Sequence, residues 1–463
     1  MFSYEHVDTA WKPAARGRIF ARDPSVLERL SLEPFAIQLQ RQETSAMAAA
    51  DLIESLHLVE PTSYSTRGYP HEEWATLRKS APVERFEPEG WPPFWAITRH
   101  ADIVEISKSP QSFLNRDGIN FEPVDTILRD DAQVQMRTII EMDNPDHRKY
   151  RGVASRFFTP RSLGKWDPMI EALAVKLVDS LGEEGEADWV QDVASLHPLS
   201  IICRILGAPE EDEPFVLKTT NEIFGRDDPE FQRPGMTAQE SVMAAAMDFG
   251  GYFHKILEDR RKTPREDLVS LFANARVDGE PMNEVDTMGY CLVMFIAGHE
   301  TTRGGLTGGM QALLDHPDQL AKWKSDPDGY TKSGVEEILR YVTPVNTMAR
   351  TVADDIEIGG RQMKAGDRLI MYYASANRDE DVFEAPDEFR IDRNPNPHLA
   401  FGIGEHFCLG AHLARKSQQA LFREFVSRVE FLEQTGEAER TASNLVPGIK
   451  RLPIRYRLRP HVG

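Results

Sequence analysis

The ten residues Phe401–Gly410 read Phe-Gly-Ile-Gly-Glu-His-Phe-Cys-Leu-Gly and concentrate more chemistry than any other stretch of the chain. A single cysteine, Cys408, closes a glycine-rich loop and opens an apolar-periodic run from Leu409 to about Leu432, which predicts a helix. Gly402 and Gly404 let the backbone turn tightly and approach a large flat ligand. Loop and helix N–H groups aimed at the sulfur would favour thiolate over thiol. A thiolate so placed can hold a metal through one axial bond. Zinc is a poor candidate, because it wants three or four protein ligands and no CxxC or HxxxH partner lies nearby. An isolated cysteine is ordinarily a small buried hydrophobe. The glycines, His406 and Gly410 around this one make the pattern FGxGxHxCxG, which is specific enough to overturn that reading.

A second constellation lies at Gly298-His299-Glu300-Thr301-Thr302. A carboxylate and hydroxyls inside an otherwise apolar helix are costly unless they are hydrogen-bonded. The plain reading is a satisfied polar pair that bends the helix. The chemical reading is a proton relay, with Glu300 carrying protons and Thr301 holding their acceptor in line. Two further pairs share helix faces. His147 and Arg151 are four residues apart, and Glu337 and Arg340 three. On an ordinary surface helix either pair would contribute little.

These residues require particular elements to position them. Asn283 can cap a helix of roughly 30 residues, about 45 Å long, that carries Glu300 and Thr301 and is apolar all round from Tyr290 to Ala297. Asn144-Pro145-Asp146 predicts a helix start, with Asn as N-cap and Pro at the first helical position. Ser333 and Glu336 read as a capping box for the helix that holds Glu337 and Arg340. Short β-runs are predicted at Val83–Phe86 and Phe94–Thr98 with a turn at Glu89–Gly90. A helix is predicted over Ala101–Lys108, followed by a long loop from Ser109. Helical hairpins are expected over Pro168–Gly250, β-hairpins over Ile356–Met371, and a final hairpin over Ser443–Arg457 turning at Gly448.

The cysteine loop resembles the haem-binding loop of the cytochrome P450 family, and the resemblance extends over roughly residues 80 to 460. It implies a mainly α fold with smaller β-sheets, a triangular helix-rich prism. Haem b (iron protoporphyrin IX) would lie between the long helix and the cysteine-loop helix, with Cys408 as its metal ligand. Ala297, Gly298, Glu300 and Thr301 match the family's AGxET oxygen-activation motif. Gly402, Gly410, His147, Arg151, Arg350 and His406 match haem-binding positions, the last four facing the propionates. Glu337 and Arg340 match a structural ion pair behind the cysteine loop. The third arginine that often completes that pair is open here: Glu388 stands near the usual position, with Arg393 as a substitute. Val293, Ile296, Ala297, Asn346 and Met348 match substrate-lining positions, and four of the five are apolar. The implied activity is insertion of one atom of O2 into a C–H bond of a hydrophobic molecule, with terpenoids, steroids and branched or long alkyl chains as candidates. A ferredoxin, itself reduced by a ferredoxin reductase, would supply the electrons. Its docking patch would draw on Arg148, Lys149, Arg156, Arg161, Arg415, Lys416 and Arg423. A peroxide-driven hydroxylase and a haem-thiolate ligand sensor are the alternatives. The acid–threonine pair counts against both.

Composition narrows the class. The chain has 463 residues and a net charge of −20, which disfavours nucleic acid as a partner. Its 3 cysteines, Cys203, Cys291 and Cys408, are scattered, which fits a reducing, cytoplasmic setting. No run of about 18 apolar residues predicts a membrane anchor. Residues 1–50 read as an N-terminal extension and 51–463 as a single haem-thiolate domain.

Overall fold

The long predicted helix is the axis of the molecule. In the computed structural model it runs over Glu284–Asp315, and the Asn283 side chain accepts from the Asp286 N–H at its start. The structure describes residues 53–124 and 138–461. The proposed extension, and the part of the loop after Ser109 that spans 125–137, lie outside these residues.

Nine helices of ten or more residues frame the described fold. They are α1 (His71–Ser80), α2 (Asp146–Ser155), α3 (Asp167–Ser180), α4 (Leu196–Leu206), α5 (Glu213–Phe224), α6 (Ala238–Lys262), α7 (Glu284–Asp315), α8 (Pro327–Val342) and α9 (Ala411–Arg428). Glycines let α7 approach its neighbours closely. A Cβ at Gly309 would come 2.7 Å from Phe422 of α9 and 2.9 Å from Ile338 of α8. The core around this contact holds Leu306, Met310, Ile338 and Phe422, all fully buried. On the other side Phe295 packs against Phe249 and Phe253 of α6.

A five-stranded sheet flanks the helices. In chain order its strands are β1 (Val83–Phe86), β2 (Phe94–Ile97), β3 (Phe113–Leu114), β4 (Thr347–Val352) and β5 (Arg368–Tyr372). Their spatial order is β1-β2-β5-β4-β3, with β2 and β5 parallel and the other pairs antiparallel. The predicted turn between β1 and β2 carries Gly90 at φ +80°. The predicted helix after β2 spans His100–Ser107, and β3 interrupts the predicted loop that follows.

Four local expectations are corrected. The helix of α2 begins at Asp146, and Asn144 bonds Glu405 instead of capping it. The helix of α8 begins at Pro327, capped by the Asp326 carboxylate on the Gly329 N–H at 2.9 Å. Ser333 is therefore internal, and its hydroxyl donates to the Tyr330 carbonyl. Over Ile356–Met371 one hairpin forms (Ile356–Ile358 with Arg361–Met363), while the remaining residues enter β5 of the main sheet. The C-terminal strand Pro453–Leu458 pairs with Val429–Gln434 and Glu184–Asp188, not across Gly448. Its alternating burial suits one apolar face, and that face finds its cover in a distant segment.

Candidate active site

Cys408 sits at the end of a loop closed by its own backbone. The Gly402 N–H donates to the Leu399 carbonyl at 2.8 Å, and the Cys408 N–H to the Phe401 carbonyl at 2.9 Å. Gly402 and Gly404 have φ of +65° and +79°, a region that side chains other than glycine rarely adopt. At Gly404 a Cβ would also overlap the Ser107 carbonyl oxygen, so the loop tip lies flush on the end of the His100–Ser107 helix. These loop bonds occupy Cys408, and α9 starts at Ala411, later than the pattern predicts, and ends at Arg428. The expected preference for thiolate is also corrected. Desolvation pushes the Cys408 thiol up, and the Gly410 N–H, Arg151 and Arg415 reverse only part of this. A metal cation is what would complete the stabilisation of the anion.

Cys408 and Thr301 line one cavity. Its wall includes Val293, Met294, Ala297, Gly298, Val345, Met348, Leu445 and Val446, a predominantly apolar set. Two expected lining residues are elsewhere. Ile296 lies off the Val293–Ala297–Thr301 stripe, since residues four apart share a helix face. Asn346 is fully buried, and its amide donates to the Asn444 carbonyl at 3.0 Å, tying β4's approach to the C-terminal loop. Leu445 and Val446 reach the cavity from that loop, and Phe224 reaches it from the end of α5. No helical or alternating pattern in the sequence marks these three. The short apolar run Leu445-Val446 beside Pro447 was the only available signal.

Two arginines and two histidines gather as hydrogen-bond donors at one side of the cavity. His147 and His406 stack with ring centroids 4.0 Å apart. Arg151 donates to the Phe407 carbonyl, and among the described residues the buried Arg350 donates only to the Ala349 carbonyl at 2.7 Å. Among the described residues, none of these four side chains pairs with a carboxylate. Both ring nitrogens of His147 are buried without a hydrogen-bond partner. Burial, together with His147, Arg350 and Arg151 nearby, pushes His406 down to about 2. Burial and then Arg151 likewise lower His147. Such a concentration of uncompensated donors calls for anionic oxygens from a ligand. The two propionates of haem b fit this need. The macrocycle suits the apolar wall, and Cys408 would offer the iron a single sulfur ligand.

Thr301 donates its hydroxyl to the Ala297 carbonyl at 2.8 Å, and Thr302 to the Gly298 carbonyl at 3.0 Å. Glu300 is buried but does not line the cavity. It pairs with Arg303 on the same helix and lies 3.1 Å from Nδ1 of His299. Burial pushes its carboxyl up, but Arg303 and His299 more than reverse this and hold it below the usual carboxylate range.

Behind the cysteine loop, Glu337 and Arg340 are fully buried and joined by two bonds of 2.8 Å. Arg393 completes the cluster at 3.1 Å from both Glu337 oxygens, while Glu388 offers only its carbonyl oxygen to Arg340 and Arg393. Glu337 also accepts from the Arg390 N–H and from Asn396. The cluster thus ties α8 to the segment that leads into Phe401.

A family model described as cytochrome P450 matches residues 91–328 and 329–459. The steroid C26-monooxygenase of Rhodococcus jostii (strain RHA1) is 35% identical over 429 residues, covering 90% of this chain and 88% of that protein. The methyl-branched lipid omega-hydroxylase of Mycobacterium bovis (strain ATCC BAA-935 / AF2122/97) is 36% identical over 393 residues, 83% of this chain and 90% of that protein. The crystal structure of CYP108D1 from Novosphingobium aromaticivorans DSM12444 superposes with a TM-score of 0.77 at 34% identity, covering 87% of this chain and 97% of that one. With matches that span most of both partners, this chain belongs to the cytochrome P450 family, as a haem b monooxygenase with that family's mainly helical fold.

Proposed function

We propose that this P450 hydroxylates an unactivated carbon of a steroid, terpenoid or branched alkyl chain, using electrons delivered by a ferredoxin. The observation that carries the reading is the sharing of one apolar cavity by Cys408 and Thr301. Haem b, when bound, supplies the reductive activation of O2 and transfer of one oxygen atom to carbon. Cys408 would hold the iron through its sulfur. His147, Arg151, Arg350 and His406 would bind the propionates, the arginines through their fixed forks of donors. Gly402 and Gly410 would let the loop backbone approach the macrocycle. Val293, Ala297 and Met348 hold the hydrocarbon and exclude water. Thr301 presents its hydroxyl to the oxygen site, and Glu300 supplies the protons. The Glu337–Arg340 pair keeps the cysteine loop in place.

The substrate class rests on the apolar wall and on two relatives whose names specify a steroid and a methyl-branched lipid. P450 enzymes of this kind take electrons from a redox partner. The choice of ferredoxin rests on Arg156, at the C-terminal end of α2, and Arg161, in the one-turn helix Pro160–Leu163. No helix among the described residues is long and apolar enough to cross a membrane. A cytoplasmic setting suits three unpaired cysteines.

The test is a screen of steroids, terpenes and methyl-branched fatty acids for the low-to-high-spin shift of the ferric enzyme. Hits should come from compounds whose buried portion is hydrocarbon. A response confined to charged or strongly polar compounds would overturn the substrate class.

A further inference from the structure

Glu300 is held by a residue that the family motif does not contain. Arg303 lies one turn further along α7 and is buried with it. One arm of its guanidinium donates to a Glu300 oxygen. The other arm donates to Oδ1 of Asn221 at 3.0 Å. Asn221 belongs to α5, and Phe224, three residues on along the same helix, lines the substrate cavity. His299 completes the surroundings of the carboxylate, with its Nε2 occupied by the Ser195 carbonyl at 3.0 Å. The acid assigned to proton delivery is thus turned from the cavity and clamped, and the clamp reaches the helix that contacts substrate.

We propose that Arg303 is the positioning residue for Glu300, and that Asn221 makes its hold depend on where the substrate-lining end of α5 lies. This rests on the proton-relay role of Glu300. At the observed placement of α5, Asn221 supports the Arg303–Glu300 pair. A substrate against Phe224 displaces the end of α5 and removes one of the two anchors of the guanidinium. Arg303 then follows or releases Glu300, which is freed to turn toward Thr301. Proton delivery becomes linked to an occupied pocket. The physical basis is the fixed geometry of guanidinium, whose planar fork can satisfy both partners only at one placement of the two helices. A lysine, with one compact ammonium, cannot bridge them in the same way.

The experiment uses the haem-loaded enzyme with a surrogate ferredoxin and reductase, a spin-shift ligand from the screen, and variants Glu300→Gln, Asn221→Ala, Arg303→Lys and Arg303→Met. Three quantities are read: substrate affinity from the spin shift, oxygen uptake without substrate, and product formed per O2. Infrared difference spectra of the resting ferric enzyme add a readout independent of turnover. The expected result for Asn221→Ala is retained substrate binding, with substrate-free oxygen uptake raised several-fold. Arg303→Lys should behave like Asn221→Ala. Arg303→Met should in addition show a protonated carboxylic acid band at neutral pH, lost when Glu300→Gln is added.

Unchanged substrate-free uptake in both Asn221→Ala and Arg303→Lys would overturn the proposal, whether or not Arg303→Met folds. If Glu300→Gln itself leaves coupling and solvent isotope effect at wild-type values, the relay reading fails instead. A merely structural Arg303 would lower thermal stability without raising substrate-free uptake, and that outcome also overturns the proposal.

Discussion

Cys408 and Thr301 stand on one cavity but are assigned to different steps, and substitution should separate them. Cys408→Ser should abolish the carbon monoxide difference band that marks thiolate ligation. Thr301→Ala should keep that band, because it leaves the sulfur and the donor cluster intact, while product per O2 falls several-fold. A coupled Thr301→Ala enzyme would remove Thr301 from the relay. The cysteine also illustrates a limit of local reasoning. Its N–H neighbourhood does favour the anion, yet desolvation by the surrounding fold outweighs it and raises the thiol. The anion therefore depends on the metal, in keeping with the coupling of ligand ionisation to metal binding.

At the scale of elements, the buried cluster Glu337–Arg340–Arg393 joins α8 to the approach to the cysteine loop. Removing Glu337 leaves two buried guanidinium charges without their carboxylate, which costs about 3–5 kcal/mol. Glu337→Leu should therefore lose stability of that order in denaturant titration and shed haem more readily. Glu388→Gln should change stability by less than about 0.5 kcal/mol, the usual range for a substitution that touches nothing special. Glu388 contributes only its main-chain oxygen to the cluster, so its side chain is free to vary. An equal loss in the two variants would mean that the cluster is misassigned.

Helix α8 also meets α9 through Glu336, which accepts from Arg415 at 2.7 Å and lies 3.0 Å from His398. Burial pushes this carboxyl up, but the hydrogen bonds from His398 and Arg415 bring it down from 4.5 to about 2. A folded value below the unfolded one stabilises the protein above the unfolded value and is lost as pH falls through the folded one. The contribution at neutral pH is roughly 2–3 kcal/mol, and it should decline between about pH 5 and pH 2. Melting temperature should therefore drop less steeply with acid in Glu336→Gln than in the wild type. Parallel curves would contradict the assignment.

For the whole molecule, charge is spent unevenly. The net charge is −20, yet the proposed ferredoxin, itself acidic, would have to approach the cysteine side. Five of the seven basic residues expected to form its patch are neutralised within the fold. Arg148 pairs with Glu405, Lys149 with Asp278, Arg415 with Glu336, Lys416 with Asp167 and Arg423 with Asp328. Arg156 and Arg161 form no ion pair with the described residues, and Phe407 is exposed on the cysteine loop. The attractive surface is thereby narrowed to a small spot. The double variant Arg156→Gln, Arg161→Gln should slow reduction by ferredoxin several-fold at low salt, with the difference shrinking as ionic strength rises. Stopped-flow reduction across a salt series checks this, and salt-independent rates in both proteins would remove electrostatic steering from the account.

The motifs that carry the chemistry were legible because each depends on residues close in the chain. The glycines of the cysteine loop are demanded by local backbone geometry, and the Asn283 cap by the first turn of α7. Glu337 and Arg340 are one helical turn apart, so their pairing could be read without knowing what surrounds them. Other features depended on contacts across hundreds of residues. Arg393 was separable from Glu388 only once the segment before Phe401 folded back on α8. The helix-start signals at Asn144 and Ser333 were real in type, but Glu405 claimed the first, and an earlier Asp-Pro cap made the second internal. Pairing of Pro453–Leu458 with distant strands was invisible because one amphipathic strand fits many partners. The sequence by itself, through the resemblance of its short motifs to the cytochrome P450 family, singled out the residues assigned to iron, oxygen and propionates. Only the tertiary structure decided which face of α7 lines the cavity, which cations remain unpaired and what restrains Glu300, because each of these is settled by the neighbour that arrives in space.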